Sequence, residues 1–194
     1  MRINRDTEYL NILKDYYAKH NVLPSYAIIA ELLGMKSRAS VQQLISRLKE
    51  NGYLDDKVPR RLVPTPKFLE RPLVGSAPAG FPSPADEALG DAISIDDYLV
   101  EHPSATVLVQ VDGDSMINAG INSGDIMIVR RESIPRIDRI IVAIVDGDFT
   151  IKHLRKDENG YYLEPANPAY PIIRPETDLN MYGVVVGQFR KYDE

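Results

Sequence analysis

Residues 64–72, Pro64-Thr65-Pro66-Lys67-Phe68-Leu69-Glu70-Arg71-Pro72, divide this chain into two segments with different hydrophobic periods. Proline fixes φ and removes a backbone donor, so the run is too proline-rich for a helix interior or a central strand. It reads as a semi-rigid hinge. Ahead of it, apolar residues recur at helical spacing; beyond Gly90 they come in short runs punctuated by Gly, Asp and Pro. The fold class expected is α+β, with helices first and a mostly-β segment after. At 194 residues there is room for one ordinary domain and a small one, and 44% hydrophobic content is ample for packed cores.

The N-terminal segment predicts three short helices. Tyr9, Leu10, Ile12, Leu13, Tyr16 and Tyr17 share helical spacing over residues 6–20, with Asp6 or Thr7 as N-cap. Ser25 would cap a second helix, Tyr26 to Leu33, closed by Gly34. Ser37 would cap a third, ending near Asn51-Gly52, in which Val41, Leu44, Ile45 and Leu48 form one apolar face. Tyr53-Leu54 and Arg61-Leu62-Val63 flank a turn and predict a small hairpin wing. Helices of this length joined by tight turns describe a winged helix-turn-helix. The alternative is a three-helix bundle for protein contacts. Arg38, Arg47, Lys49, Lys57, Arg60 and Arg61 fall on the third helix and wing, where phosphates would lie, and this favours DNA.

Charge agrees with that division. Residues 1–72 carry a net +5 and residues 73–194 a net −10, so a nucleic-acid-facing module is joined to one that is not. There is no cysteine, hence no disulfide framework and no thiolate zinc site. His20, His102 and His153 show no ligand spacing, and His153 reads as a strand-surface residue. No metal and no cofactor are expected. Without an apolar signal region or a run of about 18 apolar residues, no membrane association is expected either, and the location expected is cytoplasmic.

In the C-terminal segment the strands expected are 105–111, 125–129, 140–145, 149–154, 161–165 and 182–189, with a helix at 95–101. Ser115 sits in Gly113-Asp114-Ser115-Met116 after a turn, and Lys152 ends the apolar run Ile140 to Ile151. A serine hydroxyl needs a base to become a good nucleophile. A lysine can serve only if desolvation pulls its pKa far below about 10.4. Otherwise Lys152 is a solvated strand end. The backbone N–H groups of Asp114 and Ser115 are the natural oxyanion donors. Asp112 and Asp114 read as turn carboxylates, Gly124-Asp125 as a turn, Gly147-Asp148 as a hairpin connection and Asn167-Pro168-Ala169-Tyr170 as a structural turn.

Several blocks in consistent order resemble the self-cleaving UmuD proteins and the related LexA repressors: Gly80-Phe81-Pro82-Ser83-Pro84-Ala85, His102-Pro103-Ser104-Ala105-Thr106, Gly113-Asp114-Ser115-Met116-Ile117, Ser123-Gly124-Asp125 and Asp146-Gly147-Asp148-Phe149-Thr150-Ile151-Lys152. Residues 6–63 resemble the LexA DNA-binding domain through Leu23-Pro24-Ser25 and Ile29-Ala30-Glu31-Leu32-Leu33-Gly34. The resemblance implies a Ser115–Lys152 dyad cutting the chain's own Ala79–Gly80 bond. It also puts Ser37, Ala39, Ser40, Gln42 and Gln43 at the base-facing positions. With Arg38, Arg47, Arg60 and Arg61 these make up the expected DNA-binding set.

The domains expected are a DNA reader at 1–63, a hinge at 64–76, a cleavage-site region at 77–90 and a protease and dimerisation domain at 91–194. The resemblance further implies an SOS-type repressor of bacterial or phage origin, binding operator double-stranded DNA as a homodimer. It would be inactivated by self-cleavage stimulated by RecA filaments on single-stranded DNA. The alternative is a UmuD-like accessory subunit of an error-prone translesion polymerase. One departure from the family is Ile137-Asp138-Arg139-Ile140, where relatives usually have a glycine-aspartate turn.

Overall fold

The structure, a computed structural model, describes residues 5–56, 61–74, 89–132, 134, 136–145, 147–175 and 179–192. The chain divides into two compact units, residues 1–95 and 96–194. Each has its own apolar core.

In the first unit, helices α1 (Asp6–His20), α2 (Tyr26–Leu32) and α3 (Arg38–Glu50) follow one another. Two caps act as expected. The Ser25 hydroxyl accepts from Ile28 N–H and the Ser37 hydroxyl from Ser40 N–H, each satisfying a donor the first helical turn leaves open. The start of α1 differs: Arg5 holds the N-cap position with no side-chain cap, and the Asp6 carboxylate is engaged by Arg47. Val41, Leu44, Ile45 and Leu48 of α3 are all buried, against Leu10, Leu13 and Ile29. Burying each such side chain contributes about 1.5–3 kcal/mol.

The wing forms one to two residues later than expected, as β1 (Leu54–Asp55) paired antiparallel with β2 (Val63–Pro64). The expected hinge, 64–76, is structured over its described residues, 64–74. Pro66 occupies the first turn of a one-turn helix, α4 (Pro66–Leu69), where its missing N–H is not needed. Phe68 is fully buried in the helical core, and the Thr65 hydroxyl donates to Gly52 O at 2.6 Å. A hydrophobic anchor therefore overrides the proline content. Strand β3 (Arg71–Val74) pairs with β4 (Leu89–Ile93), two strands that alternation did not reveal.

The second unit starts within α5 (Ile95–Leu99). Its strands are β5 (Thr106–Gln110), β6 (Ile126–Arg130), β7 (Ile140–Val145), β8 (Asp148–Asp157), β9 (Gly160–Glu164) and β10 (Asn180–Phe189). They form a six-stranded antiparallel sheet in the order β5-β6-β10-β7-β8-β9. The expected runs match these strands within a few residues. Gly183 of β10 lies at a register shift where a Cβ would stand 2.5 Å from Arg130 O, so only glycine allows this approach to β6. Asp138 has φ +65°, a left-handed conformation that aspartate tolerates better than most non-glycine residues.

Candidate functional site

Strand β8 carries Lys152. Side chains alternate across a strand, so Thr150, Lys152 and Leu154 share one face. Leu154 is fully buried in the core and Lys152 is only 6% exposed. Lys152 pairs in register with Ile141 of β7, itself fully buried. An amine here has lost most of its water, and burial moves its pKa below the ordinary lysine value.

Ser115 arrives from the loop between β5 and β6. Gly113 turns the chain with φ +94°, and Met116, 2% exposed, anchors the loop in the core. A short 3-10 turn, Ile117–Ala119, follows. The two elements bring Lys152 Nζ to 2.7 Å from Ser115 Oγ. Lys152 Nζ also donates to Thr150 Oγ1 and to Ile151 O, each at 3.0 Å. These partners fix the amine beside the hydroxyl. Such an arrangement lets a neutral amine take the serine proton when the oxygen attacks a carbonyl, and return it to a leaving amine. The cleft around the pair is lined by Asp112, Gly113, Asp114, Tyr170, Pro171 and Ile173.

Two residues here carry more than their sequence suggested. Asp114 is not only a turn carboxylate: Tyr170 OH donates to it at 2.5 Å, and Asn167 Nδ2 donates to its backbone carbonyl at 3.1 Å. Asp125 is fully buried, accepting from Arg190 Nε and Nη2 and from Asn122 N–H. The guanidinium holds its carboxyl at about 2, against an ordinary 3.8. Period 2 along β8 could have found Thr150. No sequence signal joins Asp125 to Arg190, 65 residues away.

On α3, Ala39, Gln42, Gln43, Ser46, Arg47 and Glu50 line one open depression. Ser37 and Ser40 share a hydroxyl contact of 2.8 Å at the helix start. Arg47 is committed within the unit, its Nε and Nη2 donating to the Asp6 carboxylate at 2.7 and 2.8 Å. Arg38 and Arg61 are exposed. Arg60, Ala79 and Gly80 lie outside the described residues. Among the described residues no group of three or more His, Asp or Glu could hold a metal ion, and no helix is long and apolar enough to cross a membrane.

A helix-turn-helix with a small wing, followed by an antiparallel unit that buries a lysine against a serine, is the plan of a DNA-binding protein fused to a serine peptidase fold. Profile comparison agrees in both parts: a LexA DNA binding domain matches residues 3–61 and a Peptidase S24-like domain matches residues 72–186. The chain belongs to the LexA family of S24-like peptidases. It is similar to LexA repressor 2 of Pseudomonas putida, 34% identical over 189 residues covering 92% of this chain and 93% of the relative. It is equally similar to the LexA repressor of Caldicellulosiruptor saccharolyticus, 34% identical over 96% of each chain. Protein SamA of Salmonella typhimurium is 40% identical over 126 residues, 65% of this chain and 85% of the relative.

Proposed function

We propose that this chain is an SOS-type transcriptional repressor that binds operator DNA as a dimer and is inactivated by cutting itself at Ala79–Gly80. The observation that carries the reading is the buried Lys152 amine 2.7 Å from the Ser115 hydroxyl, in a chain that also holds a helix-turn-helix. Neutral Lys152 takes the Ser115 proton as Oγ attacks the Ala79 carbonyl carbon. The backbone N–H groups of Asp114 and Ser115 hold the oxyanion. Collapse of the tetrahedral species breaks the Ala79–Gly80 bond, and Lys152 returns the proton to the Gly80 nitrogen. Water then hydrolyses the ester on Ser115, leaving Ala79 as a free carboxylate.

Cutting there separates the DNA reader from the second unit. If the second unit holds two copies together, each reader then loses the effective concentration its partner supplied, and operator affinity falls. RecA filaments on single-stranded DNA are the stimulus this reading expects. Gln42 and Gln43 face bases, while Arg61, with Arg60, meets phosphates. The polymerase-subunit alternative is not favoured, because relatives matched over nearly their whole length are named LexA repressors. The test is operator retention by purified full chain before and after incubation with activated RecA filaments. Retention lost in step with appearance of a fragment beginning at Gly80 supports the proposal; cleavage with operator binding unchanged contradicts it.

A further inference from the structure

We infer that the Asn167–Tyr170 loop is a positioning device that aims the Ser115 N–H at the attacked carbonyl by clamping Asp114. The inference rests on the serine–lysine reading and adds to it residues that hydrogen-bond to Asp114 rather than to the reacting hydroxyl or the amine. Three donors converge on Asp114. Ile117 N–H and Asn167 Nδ2 both reach its backbone carbonyl at 3.1 Å, and Tyr170 OH reaches its carboxylate at 2.5 Å. A longer contact of 3.5 Å runs from Asn167 Nδ2 to the other carboxylate oxygen.

The carbonyl of Asp114 and the N–H of Ser115 belong to one peptide unit. That unit is planar and trans, so its C=O and N–H point in opposite directions. Fixing the carbonyl with two hydrogen bonds therefore fixes the direction of the Ser115 N–H. The clamp is itself held. Asn167 Oδ1 accepts from Ala169 N–H at 3.0 Å, which turns the Nδ2 of Asn167 toward Asp114. Asn118 N–H donates to Ala166 O at 2.9 Å, and Ala166 N–H donates to Met116 Sδ at 3.4 Å, so the two loops are stitched together on the far side as well. A preorganised donor stabilises the oxyanion without reorganising during reaction, and a small misplacement of it costs rate steeply.

The charged groups that share these surroundings are Asp112, Asp114 and Lys152 in the cleft and Glu164 in the adjoining depression. Tyr170 is held above its ordinary pKa by the hydrogen bond to Asp114 and then by that carboxylate's charge, so its OH stays a donor while Lys152 titrates.

The experiment measures first-order self-cleavage of the full chain from pH 7 to pH 10 for the parent, Tyr170→Phe, Asn167→Ala and Lys152→Ala. Both loop variants should lower the alkaline plateau by about tenfold to a hundredfold. Neither should move the midpoint of the rise, because Thr150 and Ile151, the groups that hold Lys152, are untouched. In an Asp114→Ala background, Tyr170→Phe should have no further effect. Tyr170 is 43% exposed, so its phenylalanine variant should melt with the parent. Loop variants cleaving within twofold of the parent while Lys152→Ala is inert would overturn the positioning role and leave the dyad standing. A displaced midpoint with an unchanged plateau would also overturn it, since Tyr170 would then act on the lysine's ionisation. Parent-like cleavage by Lys152→Ala would instead remove the reading on which it rests.

Discussion

Breaking the Asp125–Arg190 pair from its two sides should have unequal consequences. Asp125 is fully buried, while the Arg190 side chain is 32% exposed. Asp125 O also accepts from Val111 N–H at 2.9 Å, and Val111 opens the loop that leads to Ser115. Arg190→Ala leaves a buried carboxylate with the Asn122 N–H and no cation, which should cost about 3 kcal/mol, the low end for a broken buried pair because Arg190 reaches solvent. Asp125→Asn leaves no buried charge and frees a guanidinium that can turn to water. It should cost about 1–2 kcal/mol. In the parent, Asp125 titrates at about 2 rather than 3.8, so its stabilisation is present above the unfolded value and is lost as pH falls from about 4 to about 2. In Arg190→Ala burial outweighs the remaining Asn122 N–H and raises that pKa. The variant's deficit is then full at neutral pH and shrinks as pH falls and the carboxyl protonates. Guanidinium denaturation read by tyrosine fluorescence (11 tyrosines, no tryptophan) measures both, and hydrogen exchange at β5, β6 and β10 amides assigns the loss to this unit. Equal losses from the two variants, or a deficit in Arg190→Ala that does not change with pH, would refute the argument.

Gly183→Ala places a Cβ 2.5 Å from Arg130 O and 2.7 Å from Val129 Cγ1, and forcing β10 from β6 should cost about 1–3 kcal/mol; a parent-like melting curve would show that the strands yield freely. Lys152→Met should stabilise the second unit at pH 7. Burial disfavours the ammonium, so that penalty is full below the lowered pKa and vanishes above the unfolded value of about 10.4; a gain that persists at pH 11 would contradict it. Arg47→Ala should lower stability by about 0.2–1 kcal/mol for a partly exposed pair, and Asp6→Ala by at least as much, because Asp6 also lies in the first turn of α1. If DNA affinity falls for Arg47→Ala but not for Asp6→Ala, measured by fluorescence anisotropy, Arg47 leaves Asp6 to contact DNA.

Local rules made much of the fold legible. Ser25 and Ser37 cap because their hydroxyls follow non-helical residues and precede amphipathic runs, and Val41, Leu44, Ile45 and Leu48 fall on one face by the helical period. Lys152 was visible as a cation closing the apolar run Ile140 to Ile151. The misreading at 64–72 has a definite cause: proline is harmless at a helix start, and one buried phenylalanine, Phe68, outweighs the composition around it. Asp138 takes a left-handed turn that the sequence did not signal, with Arg155 held to its carboxylate. What sequence could not supply was long-range pairing. Tyr170 meets Asp114 across 56 residues and Arg190 meets Asp125 across 65, through loops whose spacing follows from sheet order alone.

The most direct measurement is self-cleavage of the purified full chain at alkaline pH without any partner, with products read by mass spectrometry for the parent, Ser115→Ala and Lys152→Ala. Burial lowers the Lys152 pKa, so the neutral amine grows more abundant with rising pH and the parent's rate should climb to a plateau. Both fragments should report a cut between Ala79 and Gly80, and both variants should stay whole at every pH. A parent rate that is flat across this range, or fragments from Lys152→Ala cut at the same bond, would contradict a lysine base acting on Ser115.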